Sequence, residues 1–150
     1  MNGVKVFDVH EHVPYLLDLA HRRMQQDLAS IVKADAFPEL RGSHMRLLSM
    51  IPSTGARPSW LAAIANVTRP ALGELVRHLE VHDYVTTDSD PSDGRAVIVG
   101  LTPRGKKAAA VANKGIAELK RVWAREIGAD RLDAMMDALA AITIGQRPPA

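Results

Sequence analysis

The sequence predicts a mainly α-helical fold with a minor β component: a winged helix-turn-helix carried on long N- and C-terminal helices. Three observations predict it. A short apolar-periodic stretch at 68–82 opens on Thr68, a residue type favoured at helix N-caps. The polar run Asp88-Ser89-Asp90-Pro91-Ser92-Asp93-Gly94-Arg95 follows, set between the β-prone Tyr84-Val85-Thr86-Thr87 and the alternating Ala96-Val97-Ile98-Val99-Gly100-Leu101. Thr102-Pro103 then couples a cap residue to a proline at the first helical position. Helix, strand, polar loop, strand, helix is the order of a winged helix.

The elements can be justified in turn. Val13, Leu17, Ala20, Met24, Leu28 and Ile31 recur at three- and four-residue steps, one face of a long helix over about 10–36. Pro14 is tolerated in its first turn, and Phe37-Pro38 is expected to end it. Ser43 is the expected N-cap of a short helix running to about residue 50. Residues 52–58 read as loop from their Pro, Ser and Gly content. Ser59 is expected to cap a helix over 60–65, and Asn66-Val67 to turn the chain into the helix at 68–82. After Thr102, Ala108, Val111, Ala112, Ile116, Leu119, Val122 and Trp123 mark about six further turns. Gly128 breaks that pattern, and Asp130 is expected to cap a last helix with Leu132, Met135, Met136, Leu139 and Ile142. The whole chain, 1–150, is expected to be one domain. Its winged helix-turn-helix spans about 43–102, and its long helices about 10–36 and 104–144.

Composition excludes several functions. With 47% apolar and 24% charged residues the chain is an ordinary globular one, and no apolar run approaches the roughly 18 residues of a membrane span. The N-terminus lacks the basic start and apolar run of a signal peptide, so a cytoplasmic location is expected. There is no cysteine, hence no disulfide, thiolate zinc site or thiol redox sensor. Net charge is +2, and residues 59–107 hold six Lys/Arg against six Asp/Glu. Bulk charge therefore does not argue for nucleic acid; the placement of individual arginines must.

That placement is informative. On a helical wheel of 68–82, Leu72, Leu75, Val76 and Leu79 cluster on one side. Pro70, Glu74, Arg77 and Val81 fall opposite, with Gly73 and His78 on the flanks. The helix N-terminus at Thr68 favours a phosphate. Arg69, Glu74 and Arg77 carry the chemistry of base-edge contacts, arginine to guanine and glutamate to cytosine. Gly73 costs the helix about 1 kcal/mol relative to alanine, which a close approach to DNA would explain. Arg95, near the wing tip, suits a narrow minor groove, and Asp93 is placed to hold its guanidinium in a bidentate pair. Asp88, Asp90 and Asp93 would otherwise oppose DNA, so at least one is expected to work within the molecule.

The run 72–85, the Asp90-Pro91-Ser92-Asp93-Gly94-Arg95 wing and Leu101-Thr102-Pro103-Arg104-Gly105 together resemble the MarR family of bacterial regulators. They match its leucine-glutamate helix end, its Asp-Pro-x-Asp-x-Arg wing and its Leu-Thr-x-x-Gly start of a long helix. One departure is His82-Asp83, where the family usually has a basic residue and glycine. Asp83 can take the left-handed conformation, though less readily than glycine. The resemblance implies a homodimer whose first and last two helices interlock, a palindromic double-stranded DNA site, and repression relieved by a small aromatic effector. It implies a pocket wall including Tyr15, His21, His44, Arg46 and Met50. The apolar stripes at 13–31, 108–123 and 132–142 support dimerisation independently, being more than a small winged helix can bury.

His10, Glu11 and His12 have metal-binding chemistry, but a two-residue step does not place the histidines on one helix face, and no metal site is expected. Neither a cofactor motif nor a nucleophile-base signature is found, so the chain is not expected to be an enzyme. The alternative from another class is a winged helix that grips protein instead of DNA. Such a module has no need for Arg95 behind Asp93.

Overall fold

The computed structural model describes residues 8–32 and 36–143. A single 3-10 turn, Val9–Glu11, leads into α1 (Val13–Ile31). There follow α2 (Gly42–Met50), α3 (Pro58–Ala65), α4 (Arg69–Val81), β1 (Val85–Asp90), β2 (Asp93–Leu101), α5 (Pro103–Ile127) and α6 (Ala129–Thr143). This is the expected mainly α-helical winged helix-turn-helix.

Several boundaries differ from expectation, each for a local reason. The first helix begins at Val13 because the His12 ring caps it, Nδ1 accepting from the Tyr15 N–H at 3.1 Å. It ends at Ile31, well before Phe37-Pro38; the intervening 33–35 lie outside the described residues. The second helix starts at Gly42, not after a Ser43 cap: the Arg41 N–H donates to His44 Nδ1 at 3.0 Å. The third starts at Pro58, with Arg57 as cap, so Ser59 lies inside it; proline takes the first helical position at no hydrogen-bond cost. The presumed loop at 52–58 contributes a bridge to the sheet, Ala56 and Val99 exchanging backbone bonds of 3.0 and 2.9 Å. Gly55, with φ +77°, makes this approach possible: a Cβ there would fall 2.4 Å from Ile98 Cγ2.

The wing is longer than expected. β1 and β2 pair antiparallel from Val85–Leu101 down to Ser89–Val97, and Asp90 pairs with Asp93. Only Pro91-Ser92 form the turn, because acidic residues that read as loop are satisfied within the hairpin. Gly94, Arg95 and Ala96 have no counterparts on β1 between those last two pairs, so Arg95 sits on an irregular bulge.

The core joins α2, α3, α4, the sheet and the first half of α5 around Leu47, Leu48, Leu61, Leu72, Leu79, Tyr84, Val99 and Ala108. At its centre α4 ends in a left-handed Asp83 (φ 61°), with Tyr84 N–H returning to the Leu79 carbonyl at 2.8 Å and Asp83 N–H to Glu80 at 3.0 Å. Asp83 thus adopts the left-handed conformation that the resemblance would give to a glycine. Thr102 binds the same corner, donating to the Asp83 carbonyl at 2.6 Å and accepting from the Gly105 N–H at 2.9 Å. Gly105 is obligatory there, since a Cβ would lie 1.9 Å from the Tyr84 carbonyl oxygen. α1 runs along α5, tied by Trp123 Nε1–H to Asp27 (2.8 Å) and by Arg23 to Asp27 and Glu126.

Candidate nucleic-acid interface

The amphipathic pattern of α4 sorts as physics requires. Leu72 and Leu79 are buried and Leu75 and Val76 half-buried, which turns Pro70, Gly73, Glu74 and Arg77 outward. Thr68 caps the helix, its hydroxyl accepting from the Ala71 N–H at 3.3 Å, and Thr68 and Arg69 are exposed beside it. Arg77 and Glu74 lie 3.8 Å apart and both are largely solvated, so each can exchange the other for a base edge at little cost. At Gly73 a Cβ would meet nothing within 4 Å. The fold itself does not require glycine there. An open groove of about 600 Å³ separates this face from the wing, lined by Arg69, Gly73, Arg77, Glu80, Thr87 and the start of α3.

Arg95 is exposed on its bulge, but the expected Asp93–Arg95 side-chain pair is not formed. Asp93 Oδ1 instead accepts from the Arg95 backbone N–H at 3.2 Å, and Oδ2 lies 3.8 Å from the Arg57 guanidinium. A carboxylate in a turn reaches the N–H two residues on more readily than a mobile side-chain tip. The intramolecular work expected of one wing acid falls to Asp90. It is buried, accepts from the Ser92 N–H and hydroxyl at 2.8 and 2.7 Å, and receives Arg57 Nε and Nη2 at 3.0 and 2.6 Å. The Ser92 bonds first, then Arg57, lower its pKa to about 2. Arg57, the cap of α3, therefore anchors the wing to the helix-turn-helix. Sequence reasoning missed it, because 33 residues separate the partners and nothing local marks them.

A second network holds the far end of α4. The Tyr84 hydroxyl donates to Glu39 Oε2 (2.9 Å), and Arg104 donates to Glu39 Oε1 (3.0 Å) and the His82 carbonyl (2.8 Å) while covering the Tyr84 ring at 4.4 Å. Glu39's own backbone N–H, Tyr84 and Arg104 bring its pKa down to about 2, and burial pushes the Tyr84 phenol up.

The residues of the expected effector pocket are not gathered within one chain. Tyr15 and His21 are exposed on α1, Met50 is half-buried on α2, and Arg46 donates to the Ala65 carbonyl at the end of α3 (3.1 Å). His44 turns to α4, stacked on His78. The sequence does hold the signal for a histidine cluster here: His78 and His82, four apart on one helix, share a face. Among the described residues no group of three or more His, Asp or Glu side chains could hold a metal ion, and no helix is long and apolar enough to cross a membrane.

A family model described as a winged helix DNA-binding domain matches residues 57–105. No curated protein matches the sequence. Solved structures similar to this fold include a transcriptional repressor, CouR, bound to a 23-mer DNA duplex. It is 26% identical, with 95% of this chain and 99% of that one covered and a TM-score of 0.74. CouR from Rhodococcus jostii RHA1, bound to p-coumaroyl-CoA, is 19% identical, covers 97% and 99%, and has a TM-score of 0.78. A MarR-family transcriptional regulator from Rhodococcus sp. RHA1 is 19% identical, covers 91% and 97%, and has a TM-score of 0.75. Residues 57–105 thus match a winged helix DNA-binding domain, and the fold is one shared with solved transcriptional regulators, a MarR-family member among them.

Proposed function

We propose that this protein is a dimeric, sequence-specific DNA-binding transcriptional regulator, a cytoplasmic repressor released from DNA by a small ligand. The observation that carries the reading is the solvated polar face of α4, set across an open groove from a wing that is anchored by Arg57. Arg69, Glu74 and Arg77 read the major groove. Pro70 and Gly73 let the backbone come close, Thr68 meets a phosphate, and Arg95 enters the minor groove. Asp93 shapes the bulge that presents Arg95 rather than gripping its guanidinium. The similar CouR structures, one bound to DNA and one to p-coumaroyl-CoA, support both halves of the proposal.

Dimerisation rests on the apolar faces left exposed on α1 and α6, among them Val13, Leu17, Met136 and Ile142. A two-fold protein calls for a palindromic site with half-sites about one helical turn apart. We assign Tyr15, His21 and Met50 to an effector pocket between the long helices and the DNA-reading lobe. An aromatic ligand there acts by favouring a spacing of the two α4 helices that misfits the site.

Fluorescence anisotropy tests this, with labelled DNA from just upstream of the protein's own gene against a scrambled duplex at two salt concentrations. Arg77→Ala is expected to cost about 1–3 kcal/mol on the preferred duplex and much less on the scrambled one. Arg95→Ala is expected to reduce the salt slope by about one counterion. Equal losses on both duplexes would make Arg77 a mere phosphate contact. Weak binding of the unaltered protein to both would favour a protein-gripping module instead.

A further inference from the structure

Three imidazoles meet where α2 abuts α4. His44 lies face to face with His78, ring centroids 4.1 Å apart and planes within 3° of parallel. His78 in turn lies 4.5 Å from His82, one helical turn on. The bonding assigns the protons. His44 Nδ1 accepts the Arg41 backbone N–H at 3.0 Å, so that nitrogen carries no hydrogen. His78 Nε2 faces the Glu39 carbonyl oxygen at 2.8 Å, and His82 Nδ1 faces the His78 carbonyl oxygen at 2.9 Å; both nitrogens must donate. All three rings satisfy these bonds in the neutral form.

A proton added to His44 changes the joint in two ways. It sets an N–H against the Arg41 N–H, which breaks the bond that closes the start of α2. It also puts a positive charge face to face with an imidazole of the recognition helix, in a buried position (His44 is 7% exposed) where water screens little. We propose that the His44–His78–His82 stack is a proton-operated joint between α2 and the recognition helix, by which mild acidity displaces α4 and weakens DNA binding. The DNA half of this inference rests on the function proposed above.

The surroundings favour that direction. Arg41 faces the joint from the edge of α2, and Arg104 reaches it from α5 through the His82 carbonyl. The carboxylate of Glu39 is already held by Tyr84 and Arg104. Glu74 lies across an adjoining open groove of about 630 Å³, 79% exposed and so heavily screened. The same groove brings solvent to the joint. Burial holds the His44 pKa below its ordinary value, and His78, Arg41 and His82 press the same way. The neutral ring therefore stabilises the native arrangement fully above about pH 6.5, and that contribution is lost as pH falls from there through the lowered native value. Ordinary electrostatics runs the opposite way, because acidification makes any histidine-bearing protein more positive and tightens its grip on DNA.

Anisotropy with the specific duplex between about pH 8 and about pH 5 tests the joint. It is to be paired with backbone-amide NMR of the free protein over the same range. His44→Asn keeps an acceptor for the Arg41 N–H but cannot titrate. His78→Gln keeps a donor for the Glu39 carbonyl but removes the facing ring. The unaltered protein is expected to lose about fivefold or more in affinity on acidification. Its α4 amides should follow one titration that His44→Asn abolishes together with the loss. Affinity that holds or rises in acid overturns the proposal, as does an equal loss in His44→Asn. Should His44→Asn not fold, His78→Gln decides: a smaller acid loss supports the joint, and an undiminished one overturns it. If the α4 amides titrate with His44 while no duplex binds at any pH, the joint stands and the DNA reading falls. If they do not titrate, the joint falls whatever the DNA does.

Discussion

The DNA-reading lobe and the long helices carry equally regular apolar patterns, yet they bury them very differently. In the lobe, Leu47, Leu48, Leu61, Leu72, Leu79 and Tyr84 are almost wholly enclosed by their own chain. α1 buries no residue at all, and Val13, Leu17 and, on α6, Ile142 are 62%, 52% and 77% exposed. α5 belongs to both regions: Ala108 and Ala112 enter the lobe's core, while Ile116 is left in solvent. Periodicity alone thus reports that a helix has an apolar face. It does not report whose atoms cover it. The difference between the regions separates residues enclosed by their own chain from the exposed apolar faces on which the proposed dimer rests.

Truncating the lobe should have the largest effect. Leu79 sits in the core directly before the left-handed corner at Asp83, and Leu79→Ala is expected to cost about 2–5 kcal/mol of stability. Urea denaturation monitored by circular dichroism would read this, and the loss should be independent of protein concentration. A loss under 1 kcal/mol would mean that the lobe does not form its own core.

Leu17→Asp should do the reverse. Half exposed in one chain, Leu17 has little to lose on its own, but a charge on that face opposes burial against a partner. Analytical ultracentrifugation should find a monomer with native helix content. Affinity for a two-half-site duplex should fall more than about tenfold, because two linked grips become one. A variant that stays dimeric would place the interface elsewhere.

The same contrast explains how much of the molecule was legible in its sequence. Periodicity located the six α-helices of the described residues. Thr68, Thr102 and Pro103 act as expected on backbone groups only a few residues away, whereas Ser43, Ser59 and Asp130 fall inside the helices they were expected to cap. The outward face of α4 followed from a wheel. Arg57–Asp90, Glu39–Tyr84–Arg104 and the strand-like behaviour of Ala56 were not legible, because each joins segments brought together only by the finished core. The Asp93–Arg95 expectation failed for a related reason. It gave a turn carboxylate a partner by sequence proximity when a backbone N–H lay closer.

Arg57 offers the finest division between holding the fold and presenting the site. It is half exposed, and it joins the cap of α3 to the buried Asp90 of the wing. In Arg57→Ala, Ser92 still donates twice to Asp90, so the turn should persist while its tether to the helix-turn-helix goes. Specific DNA affinity is then expected to drop about fivefold, the scale of a single well-formed surface ion pair. Amide exchange should quicken at 88–97 and stay unchanged at Leu79 and Tyr84. Asp93→Ala should do less, because Asp93 only approaches Arg57 at 3.8 Å. The native pKa of Asp90, about 2, sets the acid limit of the tether: its contribution is whole above the ordinary carboxylate value and is lost as pH falls through about 2. If Arg57→Ala leaves both wing exchange and affinity untouched, the wing stands on its strands alone, and Arg95 is presented by the hairpin without help from the lobe beneath it.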